Sequence, residues 1–422
     1  MLKESSRTPG LRWQLPLAML VTVLFSYYDR MNISFALPMI AEDYGWTVEE
    51  VGKYGGMLMS VFYIGYGLAN MLLSPLGEKF GPKKSLCIVI VLFSIFAALQ
   101  APFGMILTGL VAVRFLLGLS EGIHFPMLNI MVKNWFPVHE RSRANGIWIC
   151  GLFLSMISAP FVVVPITERF GWQAMFIAVG LAGMVISLPL VVKFLYNRPQ
   201  DHPRITEEEM RFITRGMEKD EVHDLSFRQG LGILAKKKAY WVAVLGGIAN
   251  NMVSFGLLNW LPIYFTQGRG LAFSDLSYAT SIPYAFSIFG ILLWAYLGDK
   301  TNQRALLAGI GFFGAAAGAY FAATSPTLPM VVALFALTIF IQISFAANEF
   351  AIIQRIVPRD MIGTGAGFYN GFCMLVGGGL GPVIVGSIVS ATGSYTMGLI
   401  SLTGICAFGG IVMIILGRLI KY

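Results

Sequence analysis

The sequence predicts an all-α polytopic membrane protein: twelve transmembrane helices in two pseudo-symmetric six-helix bundles. Three observations carry this. Of 422 residues, 56% are hydrophobic and only 12% charged, with a mean hydropathy of +0.71, whereas soluble domains carry about twice that share of charge. Apolar stretches of roughly 20 residues, the length a helix needs to cross ~30 Å of hydrocarbon, recur along the whole chain. The two halves also echo each other at a fixed spacing. Leu76-Gly77-Glu78-Lys79 returns 221 residues later as Leu297-Gly298-Asp299-Lys300, and Pro137 and Gly146 return as Pro358 and Gly367. A shared offset at separate places argues for a duplicated six-helix unit, the architecture in which two repeats rock about a central site.

The twelve spans are expected near 14–40, 53–75, 85–103, 105–136, 143–167, 172–196, 239–267, 276–297, 304–323, 327–357, 361–391 and 394–418. They are continuously apolar rather than alternating, which excludes a membrane β-barrel. The first is too long for a cleavable signal and runs straight into the bundle. It carries Tyr27-Tyr28-Asp29-Arg30, and the fourth carries Arg114 and Glu121. The eleventh packs nine glycines between 363 and 386; close helix packing is the default reason for small residues in membranes. One long polar stretch, 197–238, contains Glu207-Glu208-Glu209 and ends Lys236-Lys237-Lys238. It reads as a solvated, partly helical linker on the membrane surface. The organisation is therefore 1–196 as the N-terminal bundle, 197–238 as a cytoplasmic linker and 239–422 as the C-terminal bundle.

Lysine and arginine set the expected orientation. With the N-terminus inside, Lys3, Arg7, Lys79, Lys83, Lys84, Arg141, Arg143, the 198–238 loop, Lys300, Arg304 and Lys421 are cytoplasmic. Only Lys53, Arg169 and Arg269 are left outside. This is the positive-inside asymmetry with both termini cytoplasmic. It accounts for the net charge of +8 without nucleic acid as a partner. Cys87, Cys150, Cys373 and Cys406 fall within predicted helices at no metal-ligand spacing, so free thiols and no metal or other cofactor are expected. No Walker loop, zinc cluster or nucleophile elbow stands in a plausible setting, so the chain does not read as an enzyme.

Charge inside the spans is where function is expected, since an ionised side chain at mid-bilayer costs a few kcal/mol or more. Arg114 and Glu121 are seven positions apart, on one helix face and about 10.5 Å apart along the axis. His124 follows three residues on. Burial favours the neutral form of a carboxyl group and a neighbouring cation favours the charged form. A substrate that captures the cation therefore releases the carboxylate to take a proton. A static Arg114–Glu121 pair is the bland alternative, and a hydrogen-bonded core histidine is the bland reading of His124. Asp29 and Arg30 are adjacent, so their side chains diverge by ~100°. That frees Arg30 to fork onto a carboxylate, with Asp29 facing another helix such as the fourth.

Gly77-Glu78-Lys79-Phe80-Gly81-Pro82-Lys83-Lys84, in the loop after the second span, resembles the cytoplasmic signature of the major facilitator superfamily. It carries Glu and Lys where Asp and Arg are usual, and Ser74 at the usual first glycine. Within that superfamily, Tyr28-Asp29-Arg30-Met31-Asn32, Arg114-Phe115-Leu116-Leu117-Gly118 with Glu121, and Trp135-Phe136-Pro137-Val138-His139-Glu140-Arg141-Ser142-Arg143-Ala144 resemble the anion:cation symporters. The resemblance implies the major facilitator fold, alternating access and import of a small organic anion, a sugar acid or other carboxylate, together with protons. It implies Arg30 as substrate anchor and Asp29 and Glu121 as proton-coupling groups; Arg114 is expected in support, and His124, by its spacing on the same helix face, is the candidate proton relay. Tyr27, Tyr63 and Asn370 match residues that line the sugar-acid site, and Glu349 stands where relatives have small or hydroxylated residues. Glu349 either faces the pocket or joins the domain interface. Glu78, Lys79, Asp299, Arg141 and Arg143 are expected as gate latches. A monomer in a bacterial inner membrane is expected. An antiporter or facilitator, told apart by proton dependence, and a non-transporting anion sensor, told apart by failure to translocate label, are the alternatives.

Overall fold

The computed structural model describes residues 10–215, 232–358 and 362–420, and every regular element among them is helical. Lys3, Arg7, Lys421 and part of the expected linker lie outside the described residues. The helices that cross the bilayer are α1 (Gln14–Tyr44), α2 (Val48–Leu72), α3 (Pro82–Phe103), α4 (Leu107–Trp135), α5 (138–170) and α6 (172–194). The second set is α7 (Lys238–Gly268), α8 (Phe273–Thr301), α9 (Arg304–Thr324), α10 (Leu328–Ile356), α11 (Gly365–Thr392) and α12 (Tyr395–Leu419). All twelve expected spans are present. The fifth and sixth follow each other with no connecting loop, turning only at Gly171, whose φ of 82° is open to glycine at little cost.

Local sequence explains the other corners. α1 stops at Gly45 in the left-handed conformation (φ 64°). Two residues later Thr47 and Glu50 form a reciprocal capping box that starts α2. α11 ends the same way at Gly393 (φ 64°), and Ser394 caps α12 by accepting from Met397 N–H. Large apolar side chains such as Val185, Phe289 and Leu292 are exposed, as a lipid-facing surface requires. α1 is the opposite case: every residue from Ser26 to Pro38 is buried. A helix covered on all sides is central, and this one places Asp29 and Arg30 in the middle of the molecule.

The duplicated unit is visible in the backbone. α4 breaks at Gly122–Ile123, between half-helices Leu107–Glu121 and His124–Trp135. α10 breaks at Ile343, between Leu328–Gln342 and Ser344–Ile356. The breaks stand 221 residues apart, like the sequence echoes. Packing repeats too: Gly77 lies against Met127 in one half, and Gly298 lies against Asn348 in the other.

The two halves meet most tightly at the end away from the lysine- and arginine-rich loops. There α2 and α11 touch backbone to backbone. A Cβ on Gly52 would stand 2.5 Å from Ser390 N and 2.6 Å from Gly386 O, so only glycine lets the helices approach this far. Ser277 and Ser281 of α8 donate to the carbonyls of Pro160 and Ile157 of α5, at 3.0 and 2.7 Å. Ser34 of α1 donates to Asn259 of α7 at 3.3 Å. Toward the basic end, Gly146 of α5 and Gly367 of α11 have nothing beyond their own helix backbone within 4 Å of where a Cβ would stand.

The expected linker is not simply solvated. Its start is held by the end of α4: Trp135 Nε1 donates to Tyr196 O at 2.6 Å and Asn134 to Asn197 O at 3.0 Å. Beyond it, the short helix Glu207–Arg215 docks on the ends of α1 and α5 through Arg12. The Arg12 guanidinium donates to Glu140 (2.9 and 3.2 Å) and to Glu209 (3.0 Å), with its face 4.6 Å from the Phe212 ring. Glu209, one of three consecutive glutamates, is fully buried while Glu207 and Glu208 are exposed. A cation between two carboxylates offsets the desolvation that would otherwise keep Glu209 in water.

Two outcomes follow from this packing. Replacing Gly386→Val forces α2 and α11 apart, so a cysteine introduced near Ser34 is expected to react faster with a membrane-impermeant thiol reagent added at the non-basic face. Replacing Glu209→Ala removes the clamp on the linker helix, and trypsin cleavage at the exposed Arg211 is expected to speed up several-fold in a timed digest.

Candidate functional site

The site is built where α1 passes the break in α4. Glu121 ends the first half-helix of α4, and its Oε2 accepts from Arg30 Nε at 3.0 Å and from Ser26 Oγ at 2.8 Å. Ser26 is four residues before Arg30, so the two present one face of α1 to the same carboxylate. Both charged side chains are fully buried. The pair that forms is therefore Arg30–Glu121, between helices. The alternative of a static Arg114–Glu121 pair is not realised, because Arg114 turns to the backbone and donates to Asp29 O (3.3 Å) and Leu58 O (3.4 Å). Arg114 thereby ties α4 to α1 and α2.

Aromatic rings enclose Arg30. Its guanidinium carbon lies 4.3 Å from the Tyr27 ring centre, 4.5 Å from Tyr66, 5.6 Å from Phe62 and 5.7 Å from Phe125. Ring faces stabilise a desolvated cation by up to ~2 kcal/mol each, yet they accept few hydrogen bonds. Accordingly, Nη1 and Nη2 of Arg30 are buried without a hydrogen-bond partner. The same holds for both oxygens of Asp29, both polar atoms of the Asn32 side chain, Oε1 of Glu121 and Nη2 of Arg114. The Asp29 main-chain carbonyl, not its carboxylate, is what Arg114 of α4 reaches, at 3.3 Å. These orphaned polar atoms are gathered in one buried place between α1 and α4.

His124 opens the second half-helix of α4 and contacts Thr22 Oγ1 at 3.0 Å through Nε2. The Thr22 hydroxyl also lies 2.7 Å from Met19 O, to which it donates, and Nδ1 of His124 is buried without a hydrogen-bond partner. Tyr63 reaches across to the other half: its hydroxyl accepts from Asn259 Nδ2 at 3.1 Å, and its ring lies 4.4 Å from Phe255. Asn370 is half-buried on α11, one residue before Gly371, which packs on Asn70 and Met71.

Glu349 does not join this cluster. It accepts from Tyr369 OH at 2.8 Å among Ala243, Phe345, Ile352, Ile353, Met413 and Leu416, inside the second set of helices. Of the two expected places, the pocket and the domain interface, this contact within the second half matches neither, and helix periodicity could not supply the direction because α10 breaks six residues earlier. The expected latches are spread out as well. Asp299 pairs within its own half with Arg304, Arg141 donates to the carbonyls of Phe136 and Lys133 at the end of α4, and Arg143 lies 5.3 Å from the Trp13 ring. Glu78 and Lys79 are exposed in the short helix Ser74–Phe80.

Sequence reasoning missed Ser26, Tyr66 and Asn259. The spacing of Ser26 from Arg30 and of Tyr66 from Tyr63, four and three residues, was a usable signal. Asn259 had none, since its partners Ser34 and Tyr63 come from the other half.

Comparison with known proteins bears on the family and the fold. A family model described as Major Facilitator Superfamily matches residues 19–382 and 270–421. The hexuronate transporter of Bacillus subtilis (strain 168) is 28% identical over 403 residues, covering 93% of this chain and 91% of its own. A probable sulfoacetate transporter of Cupriavidus necator is 28% identical over 400 residues, covering 90% and 87%. In fold, the chain is similar to a crystal structure of a bacterial homolog of the human lysosomal transporter Spinster, with a TM-score of 0.79, 15% identity and 98% of both chains covered.

A double-mutant cycle tests whether Arg30 and Glu121 act as a unit. Arg30→Met and Glu121→Gln alone each strand a buried polar partner and are each expected to cost about 3–5 kcal/mol. The double variant is expected to lose clearly less than the sum, measured by thermal unfolding in detergent.

Proposed function

The chain belongs to the Major Facilitator Superfamily, a family of transporters rather than enzymes, and from that premise we propose that it imports an organic anion by proton-coupled symport. One observation carries the reading. At the centre of the protein a buried arginine is held by one nitrogen only, its Nε on Glu121, while Nη1 and Nη2 stand unpaired. Two parallel guanidinium N–H groups are the geometry that grips a carboxylate bidentately. The names of the relatives, hexuronate and sulfoacetate transporters, share an acid group and little else, which fits an anchor that reads the charge.

Coupling follows from charge balance. With Arg30 bound to the substrate carboxylate, Glu121 no longer has a full counter-charge, and a lone ionised carboxylate in a dry interior costs several kcal/mol. A proton on Glu121 removes that cost. Asp29, whose oxygens have no partner, takes a proton on the same grounds. Proton and substrate then enter together, because each makes the other's presence less costly. With these charges neutralised, the halves rock: the glycine contact of α2 with α11 closes one end while the other admits solvent toward the site. His124, with a bare Nδ1 one turn from Glu121, sits on the route by which the proton leaves. Arg114 keeps α1 and α2 in register while this happens. The lysine- and arginine-rich loops then face the cytoplasm, as the positive-inside asymmetry supports, and the glycine contact lies at the opposite side of a bacterial inner membrane. The chain acts as a monomer, the two halves within it supplying both sides of the path.

The decisive test is transport into proteoliposomes with an imposed proton gradient, using sugar acids as labelled substrates. Glu121→Gln is expected to keep counterflow exchange but to lose accumulation against a gradient. Arg30→Ala is expected to lose both, together with ligand-induced thermal stabilisation. Concentrative uptake by Glu121→Gln would place the coupling proton elsewhere.

A further inference from the structure

About one turn beyond Arg30, toward the non-basic end, the site has a roof to which both halves contribute. Ser34 follows Arg30 by four residues on α1, and Tyr63 precedes Tyr66 by three on the antiparallel α2. The level of Arg30 and the Tyr66 ring is thus followed by a level of Ser34 and Tyr63. Asn259 of α7 closes the gap between these two. Its Oδ1 accepts from Ser34 Oγ at 3.3 Å, and its Nδ2 donates to Tyr63 OH at 3.1 Å and to Phe255 O of its own helix at 2.7 Å. All three side chains are buried. Tyr63 is packed firmly in place. Its ring centre lies 4.4 Å from that of Phe255, and a Cβ on Gly378 of α11 would stand 3.0 Å from Tyr63 Cβ and Cγ.

The bond to Phe255 settles the direction of the others. A carbonyl oxygen only accepts, so the amide end beside Phe255 O is the nitrogen, and that same nitrogen meets the phenol. Both N–H groups of Asn259 are then used, one on each partner. The Tyr63 oxygen is held as an acceptor and its own O–H is left over; among the described residues that hydrogen has no acceptor. About one turn away, Nη1 and Nη2 of Arg30 are also donors without an acceptor. A phenol with no fixed partner either accepts or donates, whereas this one has only its donor left to offer. Donors alone are what an anion needs.

We propose that Asn259 is a positioning residue that holds the Tyr63 phenol as a donor toward the anion resting on Arg30. This deepens the function proposed above and depends on Arg30 being the anion anchor. Asn259 acts through Tyr63 and not by touching the anion. Because Asn259 belongs to the second half and Tyr63 to the first, the donor is set only while the halves are together at the non-basic end. When that end parts, the amide leaves with α7, the phenol is free to turn, and the anion loses a charge-assisted hydrogen bond. The dependence is reciprocal: an anion on Arg30 favours closure of the non-basic end, which is the step that captures it.

The test is titration calorimetry on the purified full chain with D-glucuronate and sulfoacetate as probes. Asn259→Leu and Tyr63→Phe are each expected to weaken the probe that wild type binds roughly tenfold. The double variant is expected to bind no more weakly than Tyr63→Phe alone, a non-additivity that a merely structural role would not produce. Ser34→Ala, which leaves the amide held by Phe255 O, is expected to weaken binding clearly less than Asn259→Leu. Melting temperatures without ligand report folding; where Asn259→Leu does not fold, Asn259→Asp, of equal size, removes the same N–H and is expected to show the same loss. Wild-type affinity in the Asn259 variant, a double-variant loss equal to the sum of the single ones, or an equal loss in Ser34→Ala overturns the positioning role while leaving the Arg30 anchor standing. Binding of neither probe by wild type, or full binding by Arg30→Ala, overturns the anion reading and this inference with it.

Discussion

Burying Arg30 and Glu121 together at mid-bilayer is the constraint around which the rest is arranged. Each ion alone would cost several kcal/mol, and together they are tolerable only with good geometry and extra hydrogen bonds. α1 is accordingly covered on all sides through thirteen consecutive residues, Ser26–Pro38. Ser26 sits one turn before Arg30 to give Glu121 a second donor, and four rings are packed round the guanidinium. The same enclosure that makes the pair strong keeps Asp29 and the outer nitrogens of Arg30 unsatisfied. Stability and responsiveness share one origin: a site dry enough to hold charge tightly also makes each change of charge matter.

The fold was legible because the bilayer enforces it. A segment that crosses hydrocarbon must satisfy its backbone internally, so apolar length alone announced the twelve helices, and duplication announced their grouping. Asp29, Arg30 and Glu121 were legible for the converse reason, that ionisable residues are rare in such segments. What pairs with what was not. Arg114 and Glu121 share a face by helical spacing, but seven residues is about 10.5 Å, beyond direct contact, and a neighbour on another helix wins. Glu349 had a plausible position and no readable direction. The linker's three glutamates look alike in sequence, yet one of them, Glu209, is buried by an arginine nearly two hundred residues earlier.

The duplication is asymmetric in chemistry while symmetric in shape. Matching half-helices end at Glu121 and at Gln342, and both reach back to the first helix of their own half. Ionisable groups are concentrated in one half and neutral amides in the other. Rigid-body rocking needs the two halves to be alike in geometry, whereas discrimination among solutes needs them to differ in what they present.

The break in α4 has an electrical meaning of its own. A half-helix that stops at Glu121 leaves its last turn of carbonyl groups with fewer intrahelical partners, and such an end behaves as roughly half a negative charge. Arg30, bonded to that final residue, lies within reach of this backbone field. Protonation can silence the Glu121 carboxylate; it cannot silence a peptide dipole. What remains of that dipole, with the second half-helix starting after only two residues, at His124, does not change with pH, whereas the carboxylate beside it does.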